Sequence, residues 1–74
     1  MDIKAYTSTE LRKLRSGLKQ TQSQVAESIG INKDTLVRYE NSNSNISLDI
    51  LDKLLDYYGV TFDIFFKNYN ANKH

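Results

Sequence analysis

Gly30 lies within a window, Gln22 to Asn41 (QSQVAESIGINKDTLVRYEN), that reads as two short helices joined by a tight turn. Before the glycine, Val25, Ala26 and Ile29 fall at i, i+1 and i+4 and so share one helical face. Gln22, Ser23, Gln24, Glu27 and Ser28 fill the other. A chain leaving a helix often passes through the left-handed backbone region, where a side chain costs roughly 1 kcal/mol or more and glycine is free of the clash. After the turn, Ile31 points back to the core, Asn32 is a good N-cap, and Leu36 and Tyr39 carry an apolar stripe at i, i+3. Ala26 is small where the two helices must cross, against Leu36 and Tyr39.

Repeated local chemistry marks five helix starts. Thr7 with Glu10 has the capping-box spacing and Tyr6 with Leu11 the hydrophobic-staple spacing, which predicts a first helix from about Ser8 to Gly17. Thr21 with Gln24 repeats the capping box. Ile31 with Leu36, Ile46 with Leu51, and Val60 with Phe65 repeat the staple around the candidate caps Asn32, Ser47 and Thr61. Ile50, Leu51, Leu54, Leu55 and Tyr58 make a wide apolar stripe, Gly59 follows as a C-cap, and Asp49, Asp52 and Asp56 cover the outer face. Beyond Lys67 the run KNYNANKH reads as a polar tail with little to bury. The expected organisation is a lead-in with the start of the first helix over 1–9, one all-α five-helix domain over 10–66 with its helix-turn-helix at 22–41, and a polar tail over 67–74.

Composition narrows the classes of function. The chain has 74 residues, no cysteine, no proline and one histidine, His74, so it predicts one small helical domain without disulfides or a zinc site. The aspartates at 49, 52 and 56 have no histidine, nucleophile or phosphate loop beside them, and a solvated helix face accounts for them. No enzyme, metal, cofactor or small-molecule ligand is expected. No apolar run can span a bilayer and MDIKAYTSTE lacks the apolar stretch of a signal peptide, which predicts a cytoplasmic protein that does not engage membranes. The net charge is only +1, but through Glu40 there are seven Lys or Arg against five acids, and afterwards three Lys against four Asp. Positive potential therefore gathers on the helix-turn-helix half.

The window with its glycine, small alanine and apolar register resembles the helix-turn-helix of the phage-repressor and Cro-like family, the XRE-type regulators. Leu11, Leu14 and Arg15 resemble the family's first helix, and Tyr39-Glu40-Asn41 the end of its recognition helix. Leu51, Leu54, Leu55, Gly59, Val60 and Phe65 resemble its fourth and fifth helices, so that the likeness covers about residues 10 to 66. It implies a lambda-repressor-like fold and a sequence-specific regulator of transcription, expected to be a repressor, that reads double-stranded DNA with the helix at about 33–41. The alternative is a protein-interaction module of the same fold, such as an antitoxin or an antirepressor-binding partner.

In the docking geometry of that family the first turn of the recognition helix enters the major groove. Lys33 and Arg38 can donate to guanine, Asp34 can accept from cytosine or favour its own helix N-terminus, and Thr35 and Val37 can pack on a thymine methyl. Phosphate contacts are expected from Lys19, Thr21, Gln22, Asn32, Asn41 and Asn43, with the Gln22 side chain facing outward. The resemblance also implies a structural ion pair between Arg15 and Glu40. Ser42 to Asn45 depart from the family pattern, bringing no positive charge where glycine and basic residues are usual. A weak homodimer on an approximately palindromic operator is expected, with Phe66 and Tyr69 as the exposed apolar contacts between protomers.

Overall fold

The computed structural model describes residues 2–41 and 45–71, and all of its regular structure there is helical. The elements are α1 (Ile3–Gly17), α2 (Gln22–Ile29), α3 (Lys33–Tyr39), α4 (Leu48–Tyr58), α5 (Phe62–Phe65) and α6 (Lys67–Ala71). The all-α expectation holds, with six helices among the described residues in place of five.

One core unites them. Leu11 of α1, Val25 and Ala26 of α2, Leu36 of α3, Leu51, Leu54 and Leu55 of α4, and Phe65 of α5 are all buried together with Tyr6. Each of α1 to α5 contributes only one to three such residues, which suits elements too short to be stable alone and dependent on tertiary packing. Local chemistry sets most of the boundaries. Thr21, Asn32, Ser47 and Thr61 each accept a backbone N–H from the first turn of the helix they cap. Gly30 and Gly59 end α2 and α4 at φ 75° and 73°.

The first helix corrects the capping-box reading. It begins at Ile3 after Asp2, five residues before the expected start, and Thr7 and Ser8 lie buried inside it. Ser8 satisfies its hydroxyl by donating back to the carbonyls of Lys4 and Ala5, at 3.0 and 3.2 Å, as a hydroxyl inside a helix can. Glu10 pairs instead with Lys13, at 3.1 Å. Tertiary contact overrides the local signal through Tyr6. Its ring lies 6.0, 6.1 and 5.3 Å from those of Phe65, Phe66 and Tyr69, and its hydroxyl donates to the Phe65 carbonyl.

The same cluster orders the far end of the chain. Lys67 to Ala71, read from sequence as tail, form a helix that continues α5 after a break at Phe66, with Asn70 N–H bonded to the Phe66 carbonyl at 3.0 Å. Residues 72–74 lie outside the described residues.

Candidate nucleic-acid interface

The α2-turn-α3 unit is closed by hydrogen bonds at each joint. Thr21 and Gln24 form a reciprocal capping box: Gln24 N–H donates to Thr21 Oγ1 at 3.1 Å and Thr21 N–H to Gln24 Oε1 at 2.8 Å. At the far end, Gly30 N–H reaches the Glu27 carbonyl and Ile31 N–H the Ala26 carbonyl, the paired closure of a Schellman motif. Ala26 is 2 % exposed, in the core that also holds Leu36. Asn32 then caps α3 by accepting from Asp34 N–H at 3.0 Å.

A buried polar network fixes this unit to the first helix. Arg15 donates Nε to Glu40 Oε2 at 2.8 Å and Nη2 to Glu40 Oε1 at 3.0 Å, so the two expected partners meet as a bidentate pair. The carboxylate side chain is 2 % exposed and the guanidinium 18 %. The hydrogen bond to Glu40 raises the Arg15 pKa, while desolvation opposes it. The third donor, Nη1, reaches the Gln20 carbonyl at 3.0 Å, and the side-chain oxygen of Gln20 accepts from the Tyr57 hydroxyl. Gln22 Nε2 donates to Glu40 Oε1 at 3.0 Å. The Gln22 side chain thus turns inward to the carboxylate, where an outward orientation was expected. Acceptor capacity that Arg15 leaves open on the buried carboxylate draws the amide in.

Two members of this network carried no sequence signal. Tyr57 and Gln20 are 37 residues apart, and no periodicity or spacing announces their bond. Tyr58 places its hydroxyl in the interior without a hydrogen-bond partner among the described residues. Burial raises its pKa above that of free tyrosine, with the Glu40 charge adding to the effect and Arg15 opposing it.

The outer face of α3 collects the remaining candidates. Lys33, Asp34 and Arg38 are exposed, Thr35 and Val37 are half-buried, and Leu36 is wholly buried beneath them. No salt bridge occupies Lys33 or Arg38 among the described residues. Exposed Asn32 and Asn41 flank the helix at its two ends, while Thr21 and Lys19 lie exposed at the entrance to α2. Lys19 has φ 56° and is the one non-glycine residue of positive φ among those described. Asn43 falls outside the described residues.

Phe66 and Tyr69 are half-buried, their rings engaged with Tyr6. The apolar residues left open to solvent are others: Leu48 at 74 %, Ile64 at 66 %, Leu18, Ile3 and Phe62. Ile3, Tyr39, Ile46, Leu48, Leu51 and Phe66 line a groove of about 220 Å³, and Ile3, Phe62, Phe66 and Tyr69 line a second one beside it. No helix among the described residues is long and apolar enough to cross a membrane.

Comparison with known proteins agrees with this architecture. The helix-turn-helix family model matches residues 10–65. The transcriptional repressor RstR of the cryptic phage CTXphi of Vibrio cholerae is 36 % identical over 53 residues, which are 72 % of this chain and 48 % of RstR. A protein of Sulfurisphaera tokodaii assigned by name to the HTH-type transcriptional regulators is 33 % identical over 52 residues, 70 % of this chain and 18 % of that one. The chain thus spans about half the length of the first relative and under a fifth of the second. No solved structure matches significantly. The family is one of DNA-binding regulators and not of enzymes. With the matched segment running from the first helix through Phe65, and the glycine turn and buried Arg15–Glu40 pair inside it, the chain belongs to the XRE-type helix-turn-helix family.

Proposed function

We propose that the chain binds double-stranded DNA sequence-specifically and represses transcription, with α3 in the major groove. The observation that carries this reading is the contrast between the two faces of α3. Its inner face is fixed by Leu36 and by the Glu40 network, whereas its outer face presents Lys33, Asp34 and Arg38 free of ion pairs among the described residues. A rigid helix with unspent donors on one side suits direct readout of base edges. Arg38 and Lys33 serve as guanine donors, Asp34 as a cytosine acceptor or helix-end charge, and Thr35 and Val37 as apolar contacts to thymine.

The phosphate contacts cluster around α2. The N–H groups of Gln22 and Ser23, in its first turn, lack intrahelical acceptors, and Thr21, whose oxygen is engaged by Gln24, keeps its hydroxyl hydrogen to donate. Gln22 contributes the amide hydrogen that Glu40 does not take, with its angle set by that bond. Lys19, Asn32 and Asn41 complete the described set, and Asn43 belongs to the same proposal.

The bound form is a two-fold dimer on a palindromic operator. Ile3, Leu48 and Phe62 form the exposed contact, with Phe66 and Tyr69 as its floor. Lys4 and Asp63 border these grooves, a self-complementary pair of charges for an isologous contact. Selection of bound duplexes from a random pool tests the reading. Enrichment of a two-fold palindrome supports it, and a pool that emerges without enrichment overturns it in favour of a protein-binding module.

A further inference from the structure

Among the described residues, α1, α2 and α4 end in the same hydrogen-bonded closure, and one of them has the wrong residue for it. After α2, Gly30 N–H bonds to Glu27 and Ile31 N–H to Ala26; after α4, Gly59 N–H bonds to Asp56 and Val60 N–H to Leu55. After α1, Lys19 N–H bonds to the Ser16 carbonyl at 3.0 Å and Gln20 N–H to the Arg15 carbonyl at 3.4 Å, which is the same pair of bonds. The residue at the left-handed position is glycine in the first two and lysine in the third, with φ 75°, 73° and 56°. A β-carbon in that region costs about 1 to 2 kcal/mol per residue. Backbone strain of this kind persists where the surroundings over-determine it, and it gathers at functional positions.

The surroundings of Lys19 do over-determine it. The next residue, Gln20, is held at its carbonyl by Arg15 Nη1 and at its side chain by the Tyr57 hydroxyl. Thr21 follows at once as the cap of α2, locked by its reciprocal bonds to Gln24. Lys19 is therefore followed by two residues held by hydrogen bonds to other groups, and its exposed side chain has no salt bridge among the described residues. It stands three residues before Gln22, the first residue of α2, whose start faces the DNA backbone in the proposed binding mode.

We propose that Lys19 is a rigidly placed phosphate clamp, a cation set at a strained left-handed position so that α2 seats on the DNA backbone in one orientation, at the expense of fold stability. The inference rests on the DNA-binding reading and adds to it the trade between stability and binding. Arg15, Tyr57 and Gln20 act here as positioning residues, because they hold the turn without themselves being required at the phosphate.

The test measures thermal stability and DNA binding in the same variants, using the duplex enriched by the wild-type protein. Lys19→Gly removes both strain and charge: Tm should rise by about 2 to 6 °C. Its affinity should fall several-fold, with the slope of log K against log salt reduced in magnitude by about 0.9, one phosphate contact. Lys19→Arg should keep the slope and the wild-type Tm. Lys53→Gln, a charge change of the same size on α4, should leave the slope near the wild-type value. If Lys19→Gly binds with an unchanged salt slope, or if Lys53→Gln lowers the slope as much, the clamp is wrong while the DNA-binding reading stands. A lower Tm for Lys19→Gly overturns the strain. If the wild type enriches no duplex at all, both readings fall together.

Discussion

Arg38 and Glu40 are two residues apart and serve opposite ends. Arg38 is exposed on the outer face of α3, so its removal should leave the fold intact. Arg38→Ala is expected to cost about 1 to 3 kcal/mol of specific binding and to relax preference at one base pair; an equal loss on every sequence would reassign it to phosphate. Glu40 is buried and holds Arg15 and Gln22 at once. Glu40→Gln leaves a mostly buried guanidinium without its counter-charge. We expect a loss of about 2 to 3 kcal/mol, seen as a fall of roughly 10 to 20 °C in Tm. Tyr58 shows the reverse sign. Its hydroxyl is buried without a partner, so Tyr58→Phe removes a desolvated group and should stabilise the fold by about 1 kcal/mol at pH 7, read from the urea midpoint. The tyrosine also predicts the alkaline limit. Burial raises the pKa of Tyr58 and of Tyr6 above the free value of 10.0. Below that value both states keep the protons and these groups give no slope. Above it the unfolded chain ionises first and binds fewer protons, so stability falls as pH rises. Tyr58→Phe should therefore lose less stability than the wild type between pH 8 and about pH 11; an equal loss would refute the assignment to Tyr58.

At the scale of the elements, the two glycines at helix ends and within a helix make opposite predictions. A β-carbon at Gly30 would meet nothing within 4 Å, and neither would one at Gly17. Sterics with neighbours are thus absent in both cases, and only backbone conformation decides. Gly30→Ala forces a side chain to φ 75° and should cost about 1 kcal/mol. Gly17→Ala lies in the last turn of α1 and should gain up to about 0.5 to 1 kcal/mol in urea unfolding. The helix starts marked by Thr21, Asn32, Ser47 and Thr61 were legible in the sequence because each cap acts within its own first turn. The start of α1 was not legible, because the Thr7 and Glu10 spacing fits a helix interior as well as a capping box. What decides between them is the packing of Tyr6 against Phe65 and Tyr69, some sixty positions away. The same long-range contact turned an apparent tail into α6. The exposure of Lys33, Asp34 and Arg38 on α3 followed from the family resemblance, while Thr35 and Val37 are half-buried. The inward turn of Gln22 and the strained φ of Lys19 were not legible, since each depends on bonds between separate elements.

For the molecule as a whole, the proposed operator binding has to be reconciled with a small body. It measures 37 × 24 × 22 Å. In the proposed dimer a second copy sits about 34 Å away along one face of the duplex and adds the base pairs that a single recognition helix does not read. The proposed contact between the copies is the small apolar patch around Ile3, Leu48 and Phe62. A small contact gives weak association in the absence of DNA. Leu48 tests this best. It is 74 % exposed, so Leu48→Ser removes apolar surface from the proposed contact with little loss of core. Phe66→Ser is a poorer probe, because Phe66 also packs on Tyr6 and Phe65 and its loss would weaken the monomer. Leu48→Ser is expected to keep the wild-type Tm within about 2 °C and to keep the affinity for an isolated half-site, while losing most of the cooperativity between the half-sites of the full palindrome. Sedimentation of the free wild-type protein at low concentration should show mostly monomer, with two protomers on each full operator. If Leu48→Ser retains full cooperativity, the dimer contact lies elsewhere. If one half-site binds the wild type as tightly as the palindrome does, no dimer is required.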